Sequence, residues 1–153
     1  MKYLELKVPP VVQVLFVGLA MFIASSYLPT WNINYLAQVA LAGALFSVGI
    51  YFCVAGVYEF RKRKTTVDPR YPDKASDLVD SGVYQLSRNP MYVGFALFLL
   101  AIVIYLGSPI LLVGVFAFIL YMNRFQIEPE EVLLQQIFGE RYKQYTKSVR
   151  RWL

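Results

Sequence analysis

The sequence predicts an all-α integral membrane protein made of two helical hairpins, with about four transmembrane helices. Of its 153 residues, 58% are hydrophobic and only 16% are charged, which is more apolar than soluble globular domains usually are. No charged residue lies between Lys7 and Glu59, or between Arg88 and Arg124. Uncharged apolar stretches of this length are typical of membrane segments. A soluble domain of this size could not bury that much apolar surface in one core.

The first hairpin is predicted in the N-terminal part of the chain. Its first helix is expected to begin at Pro9 or Pro10, because proline is tolerated in a first helical turn, and to end at about Leu28. The second helix is expected to return from about Tyr35 to Phe60. About twenty helical residues at 1.5 Å each span about 30 Å, so each of these helices is long enough to cross the hydrocarbon layer.

The second hairpin is predicted from Pro90–Leu106 and Pro109–Asn123, connected by Gly107 and Ser108. Its arms are somewhat short for a full crossing, so they are expected to tilt, to thin the bilayer or to stop short of its far face. The last segment, Glu128–Leu153, combines an apolar stripe with basic residues. This pattern predicts an amphipathic helix that lies at the membrane surface or packs over the 65–88 loop.

The positive charge of the chain lies at the ends of its apolar stretches. The net charge is +5; Lys2 and Lys7 precede the first stretch, and Arg61–Lys64 follow the second helix. This arrangement follows the positive-inside rule, so both termini and the 61–90 loop are expected in the cytosol. It argues against a nucleic-acid partner and for contact with membrane lipids.

Metal and disulfide chemistry is not expected in this chain. It has one cysteine, Cys53, inside an apolar segment, and no histidine. A single thiol cannot form a disulfide framework, and zinc and haem sites normally need histidine or several cysteines. The sequence therefore predicts no metal site.

Candidate functional groups gather at the predicted cytosolic ends of the second hairpin. Asn89 is a plausible N-cap, and Pro90 would then be the first residue of the helix. Arg88 beside this helix start could bind a carboxylate or a phosphate. The alternative is structural: Arg88 only extends to the membrane surface and Asn89 only caps the helix. Glu130 and Glu131 could bind an ammonium group or ribose hydroxyls, or could simply form the acidic first turn of a helix.

Two segments carry a resemblance to a known family. The chain contains the stretch LVDSGVYQLSRNPMYVG and, about forty residues later, the stretch PEEVLLQQIFGERYKQYTKSVRRWL. Together they resemble the isoprenylcysteine carboxyl methyltransferase and phospholipid methyltransferase superfamily. The likeness covers roughly Thr65–Leu153. It implies a short prokaryotic-type member in the cytoplasmic membrane that binds S-adenosylmethionine on the cytosolic side. The chain is then a single membrane domain, with an N-terminal hairpin over 1–60 and a cofactor-binding core over 61–153.

The resemblance also implies a site. Glu130 and a nearby arginine, Arg124, would face the reacting end of the substrate. The residues implied to bind the cofactor are Leu78, Val79, Tyr84, Arg88, Asn89, Pro90, Tyr92, Glu131 and Tyr142. This chain has asparagine where many members have histidine, at Asn89. It also has Gln126 at the position, four residues before Glu130, where the eukaryotic prenylcysteine enzymes have an arginine. The second departure argues against prenylcysteine as the substrate.

The methyl acceptor stays open at the level of sequence. An S-adenosylmethionine-dependent methyltransferase of this kind would act on a lipophilic or membrane-partitioned carboxylate, thiol or amine. Two other functions are compatible with the fold class: a membrane reductase with a nicotinamide cofactor, which is usually a longer chain, and a non-catalytic membrane scaffold. Small residues on the second helix would also allow a homo-oligomer.

Overall fold

A computed structural model of the chain describes residues 5–31, 33–63 and 77–153. All regular structure in these ranges is helical, and they contain no strand. The α-helices are α1 (Pro10–Ser25), α2 (Tyr35–Lys62), α3 (Pro90–Leu106), α4 (Leu112–Tyr121) and α5 (Glu128–Ser148). Short 3₁₀-helices cover Gly82–Gln85 and Pro109–Leu111, and a π-helix covers Met122–Ile127.

The two helices predicted for the first hairpin are present with shifted ends, but α1 packs mainly on α3 and α4, and α2 packs on α3, so the two do not form a packed pair with each other. Helix α1 ends at Ser25, three residues before the predicted Leu28, because the chain then enters a turn. Helix α2 begins at Tyr35 as predicted, and the side chain of Asn34 caps it by accepting a 3.1 Å hydrogen bond from the N–H of Ala37. It ends at Lys62 rather than Phe60, since basic residues are favourable in a last helical turn.

Helix α3 has the predicted bounds, but the end predicted for the next helix at Asn123 is wrong. The helix continues from α4 through the π-helix Met122–Ile127 into α5. Pro129 does not break this helix. In a regular α-helix the carbonyl group of Phe125 would accept a hydrogen bond from the N–H of residue 129, but proline has no N–H. That carbonyl instead accepts a 3.1 Å hydrogen bond from the N–H of Leu6. The wider π turn and this external donor accommodate the proline.

The helix predicted for Glu128–Leu153 is present over Glu128–Ser148, but it is not straight. Gly139 has φ 52° and ψ −124°, which is not helical, and α5 bends there. Two residues on either side of the bend, Glu131 and Arg151, form a 2.6 Å ion pair although they are twenty positions apart. A straight helix would separate them by about 30 Å. The chain therefore folds back at Gly139, and α5 consists of a first arm, 128–138, and a second arm, 140–148.

The helices enclose two apolar cores. The first lies among α1, α3 and α4 and includes Leu99, Val103 and Phe118, which are at most 1% exposed. The second lies where α2, α3 and the second arm of α5 meet, next to the Gly82–Gln85 turn. Helices α2 and α3 approach each other closely at Gly94, where an added Cβ would lie 2.7 Å from the carbonyl oxygen of Gly49.

The helices are compatible with a membrane protein. Among the described residues, Tyr35–Lys62 and the helical stretch Pro109–Ser148, which bends at Gly139, are long and apolar enough to cross a bilayer, while α1 and α3 are apolar but shorter. Helix α1 exposes large apolar side chains along one face: Leu15, Phe16, Leu19, Phe22 and Ile23. An exposed apolar surface of this extent is typical of contact with lipid or another protein. The number of spans, four, and their orientation stay predictions, and Lys2 and residues 64–76 lie outside the described residues.

Candidate active site

Glu130, at the start of α5, receives hydrogen bonds from two other elements. The hydroxyl of Tyr92, on the first turn of α3, donates to Glu130 Oε1 at 2.7 Å. The side-chain amide of Gln126, on the π-helix, donates to the same oxygen at 2.5 Å. Tyr92 and Gln126 are 5% and 1% exposed, whereas Glu130 is only partly buried. Within the described residues Glu130 forms no ion pair, so its carboxylate is fixed in orientation without a cation.

The neighbouring Glu131 is bound very differently. Arg88 Nη2 donates to its Oε1 and Arg151 Nη2 to its Oε2, both at 2.6 Å. This carboxylate raises the pKa of Arg151 above its usual value. Arg88 also donates to the carbonyl oxygens of Thr146 and Val149, each at 3.1 Å. The two predicted cofactor-binding residues, Arg88 and Glu131, are thus paired with each other and with the end of the chain.

Asn89 stands at the N-cap position of α3, as predicted, but its side chain makes no capping hydrogen bond. Its Nδ2 instead donates to the carbonyl oxygen of Arg151 at 2.9 Å. Ser87 Oγ donates to the same oxygen at 3.2 Å. The prediction that the side chain of Asn89 caps α3 is therefore wrong. That side chain instead binds a carbonyl group of residues 149–152, which we call the closing segment. Trp152 anchors this segment by donating to Asn123 Oδ1 at 2.9 Å.

The apolar residues implied for the cofactor pocket lie together in the second core. Leu78, Val79, Tyr84 and Tyr142 are each 4–5% exposed and belong to one packed cluster. Tyr145 ties this cluster together, since its hydroxyl donates to the carbonyl oxygen of Tyr84 at 2.6 Å. Burial raises the pKa of Tyr84 well above its usual value, so that its hydroxyl stays neutral.

A charged network beside Leu78 was not anticipated from the sequence. Arg63 pairs with Asp77 and Asp80 at 3.0 Å each, and Arg141 pairs with the same two aspartates at 2.8 and 3.2 Å. Arg141 also donates to the carbonyl oxygen of Leu78 at 3.3 Å. We call these four charged residues the clasp. Arg141, more than any other neighbour, lowers the pKa of Asp77. The acidic residues on both sides of Leu78-Val79 are the sequence feature that could have suggested it.

An open cleft of about 770 Å³ separates the two arms of α5. Its walls carry polar and apolar groups: Arg88, Glu128, Glu131, Val132, Gln135, Gln136, Tyr142 and Thr146. Arg88 Nε is buried and has no hydrogen-bond partner among the described residues. A buried donor without an acceptor beside a cleft is suited to a ligand hydroxyl or carboxylate.

The structure does not bring Arg124 to Glu130. Arg124 is half exposed and pairs with Glu5 at 3.6 Å and Glu128 at 3.3 Å. Gln126 contacts Glu130 instead, because residues four apart lie on the same side of a helix. Pro90 is fully buried at the start of α3. The site roles of all these residues stay predictions.

Comparisons with known proteins agree on one family. The phospholipid methyltransferase model matches residues 37–141. An uncharacterized protein of Haemophilus influenzae is 46% identical over 63 residues, which are 41% of this chain and 100% of that protein. The protein-S-isoprenylcysteine O-methyltransferase of Schizosaccharomyces pombe is 29% identical over 126 residues, or 79% of this chain and 52% of that protein. The enzyme of that name from Xenopus laevis is 41% identical over 75 residues, or 47% of this chain and 25% of that protein.

The chain thus spans about half the length of the S. pombe relative and a quarter of the X. laevis relative. No solved structure matches it.

Proposed function

The chain belongs to the phospholipid methyltransferase family, and from this premise we propose that it is an integral membrane methyltransferase that uses S-adenosylmethionine. Its acceptor is a lipophilic or membrane-partitioned molecule. The observation that carries the proposal is the 2.7 Å hydrogen bond between Tyr92 and Glu130, which are 38 positions apart. It brings into contact the two separate segments that carry the family motif, which supports a shared site.

The residues around the cleft fit this cofactor. Arg88 Nε is a buried donor without a partner in the described ranges, and it is suited to the carboxylate or a ribose hydroxyl of S-adenosylmethionine. Glu128 and Gln135, which also line the cleft, offer further groups for ribose hydroxyls. Leu78 and Tyr84 lie in the buried core that also contains Tyr142, a residue of the cleft wall, so this core would keep water out from behind that wall.

When bound, S-adenosylmethionine supplies a methyl group that its sulfonium has already activated. The protein therefore has to position the acceptor and remove water from it, which this chain can do without histidine. Tyr92 and Gln126 fix the orientation of the Glu130 carboxylate, which in this proposal faces the acceptor. The exposed apolar faces of the helices would let a lipophilic acceptor reach the site from the bilayer of a prokaryotic cytoplasmic membrane.

Isothermal titration of the detergent-solubilised protein with S-adenosylhomocysteine tests the proposal. The unmodified protein should bind, and Glu130→Ala and Tyr92→Ala should each raise Kd by about tenfold or more. Lys143→Ala is the matched control, since its only described ion pair is an exposed 3.5 Å contact with Glu140. Gel filtration verifies that each variant is folded. Absence of binding by the unmodified protein, or equal Kd values in all four proteins, would refute the proposal.

A further inference from the structure

Five exposed cations lie at the polar end of the molecule, on two elements that the clasp joins. They are Arg61 and Lys62 in the last turn of α2, and Lys143, Lys147 and Arg150 on or just after the second arm of α5. We infer that these residues, here named the basic surface, bind the headgroups of anionic phospholipids. The inference rests on the membrane insertion in the proposed function, and not on methyl transfer.

The exposed face of α2 leads directly to its two cations. Tyr51, Val54 and Tyr58 are 60–63% exposed. With 3.6 residues per turn, Arg61 and Lys62 lie on the same face as these three side chains, about 5 Å beyond Tyr58 along the helix axis. When this apolar face lies in the hydrocarbon layer, the cations reach the level of the lipid phosphates.

The second arm of α5 presents further cations on its outer side. Its inner side packs into the second core through Tyr142 and Tyr145, which are buried. Lys143 and Lys147 are exposed and four positions apart, so they share the outer side. Arg150, which is also exposed, follows the end of the helix. The arm therefore turns its basic side away from the protein.

The clasp holds the two sets of cations at one end of the molecule. Arg63, the residue after Lys62, and Arg141, near the start of the second arm, both bind the carboxylate of Asp80, at 3.0 and 3.2 Å. The two arginines of the clasp are matched by its two aspartates. The clasp thus joins the two parts of the basic surface without offsetting their charge.

The charge of the basic surface is largely uncompensated. Among the described residues only one of its members, Lys143, forms an ion pair, an exposed 3.5 Å contact with Glu140. Each cation near an anionic membrane surface favours binding by about fivefold. Such a surface therefore selects anionic lipids over zwitterionic ones, whose headgroups have no net charge.

The apolar face of α2 decides between a lipid and a soluble polyanion as the occupant. Either anion would be attracted by the charge, but only a lipid also has acyl chains to place against Val54 and Tyr58, which are exposed one to two turns before the cations. The combination of an apolar face and adjoining cations matches the two parts of a phospholipid.

Lipid titration of the detergent-solubilised protein tests the inference. Phosphatidylglycerol and phosphatidylcholine with the same fluorescently labelled acyl chain differ only in the headgroup, so fluorescence polarisation in a nonionic detergent compares the headgroups directly. The unmodified protein should bind phosphatidylglycerol about tenfold or more tightly. This preference should decrease as salt is added, because salt screens exposed charges. Glycerol 3-phosphate, which has the phosphate without acyl chains, should not displace the lipid at equal concentration.

Substitutions in both parts of the basic surface test its charge. The double variant Arg61→Gln, Lys62→Gln should lower the preference for phosphatidylglycerol by about fivefold or more, and so should Lys147→Gln, Arg150→Gln. The exchange variant Arg61→Lys, Lys62→Arg keeps the charge and should bind as the unmodified protein does. Gel filtration verifies that each variant is folded.

Arg124→Gln is the control for net charge. Arg124 is exposed but lies outside the basic surface, and it already pairs with Glu5 and Glu128. Its substitution should leave the preference between the two lipids unchanged.

The inference is overturned if the unmodified protein binds both lipids equally, if neither glutamine double variant lowers the preference, or if Arg124→Gln lowers it as much. Displacement of the lipid by glycerol 3-phosphate would also overturn it and assign the surface to soluble anions. A failure of the proposed function is recognised separately: the protein would not float with phosphatidylcholine vesicles after reconstitution, or would not bind S-adenosylhomocysteine.

Discussion

Arg88 combines three roles that are usually divided among several residues. Its guanidinium donates to the carboxylate of Glu131 and to the carbonyl oxygens of Thr146 and Val149. Its two terminal nitrogens reach the carbonyl groups and the carboxylate from separate positions, whereas the three donors of a lysine all lie on one nitrogen. The third nitrogen, Nε, is buried and has no partner among the described residues. Arg88 therefore links the start of α3 with both arms of α5.

We expect Arg88→Lys to lower the free energy of unfolding by about 1–3 kcal/mol, because buried carbonyl groups lose their hydrogen bonds. Arg124→Lys is the matched control: Arg124 is half exposed, and exposed ion pairs contribute less than about 1 kcal/mol. Thermal melting in detergent, measured without cofactor, compares the two. Equal melting temperatures for both variants would contradict the role assigned to Arg88.

The sequence identified Arg88, Asn89 and Glu131 as chemically distinctive, but it could not identify their partners. Asn89 and Arg151 are 62 positions apart, and Arg88 and Glu131 are 43. Local patterns describe neighbours three or four residues away, as for Gln126 and Glu130, and contain no information on such distant contacts. The residue types were therefore predictable, whereas their mutual pairing required the fold.

At the scale of elements, the bend of α5 depends on Gly139. Its φ of 52° with ψ −124° lies outside the conformations that residues with a Cβ readily adopt. The bend returns the second arm towards α3 and so creates the cleft. Nothing lies within 4 Å of a Cβ added at Gly139, so a substitution there would be opposed by the backbone conformation and not by a steric clash.

Gly139→Ala should destabilise the protein by about 1–3 kcal/mol through this backbone strain. Gly43→Ala is a matched control, because a Cβ at this helical position of α2 also meets nothing within 4 Å. Alanine is favoured over glycine within a helix, so Gly43→Ala should be neutral or slightly stabilising. Chemical denaturation of both variants measures the difference. A stability loss that is the same at both positions would show that the bend does not require glycine.

A second prediction at this scale concerns the packing of α2 on α3. A Cβ added at Gly94 would lie 2.5 Å from Cys53 Sγ and 2.7 Å from the carbonyl oxygen of Gly49, so that the helix backbones must separate. At Gly114 the close atoms, at 2.8 Å, belong to the flexible side chain of Met21. We expect Gly94→Ala to cost about 1–3 kcal/mol and Gly114→Ala clearly less. The melting temperatures of the two variants, measured in the same detergent, test this prediction. If Gly114→Ala had the lower melting temperature, the close approach of α2 and α3 at Gly94 would be contradicted.

The elements differ in how far the sequence determines them. The bounds of α3 were predictable because Pro90 begins it and Gly107, with φ 70°, ends it. No comparable residue separates α4 from α5, and Pro129 appeared to be a helix start although it lies inside a continuous helix. A carbonyl group of the π-helix, that of Phe125, accepts a hydrogen bond from the N–H of Leu6, more than one hundred residues away. A contact of that range has no local sequence pattern.

For the whole molecule, the resemblance seen in two motifs is confirmed by the family match over residues 37–141. The motifs do not show which contacts hold the polar end of the molecule together. Among the described residues, two sets of contacts connect the helices at this end. The closing segment joins the start of α3 to the π-helix through Asn89 and Trp152. The clasp joins the end of α2 to the second arm of α5 through Arg63 and Arg141.

The clasp predicts how the stability of the whole molecule depends on pH. Asp77 has a lowered pKa in the folded protein, with Arg141 as the largest cause and Arg63 as a further one. A lowered folded pKa stabilises the protein above the ordinary carboxyl pKa of about 3.9, and this contribution is lost as the pH falls through the folded value. Asp77 is partly exposed, so the contribution should be below about 1 kcal/mol for each pair.

Melting curves between neutral pH and about pH 3 should therefore show Asp77→Asn below the unmodified protein by a few degrees at neutral pH, with the difference closing as the pH falls through the folded pKa of Asp77. Glu140→Gln is the matched control, because Glu140 is an exposed carboxylate whose described ion pair, with Lys143, is a 3.5 Å contact within the same arm. Its melting temperature should follow that of the unmodified protein throughout. A difference for Asp77→Asn that persists undiminished at the lowest pH would mean that the substitution acts on packing and not through the charge of the clasp.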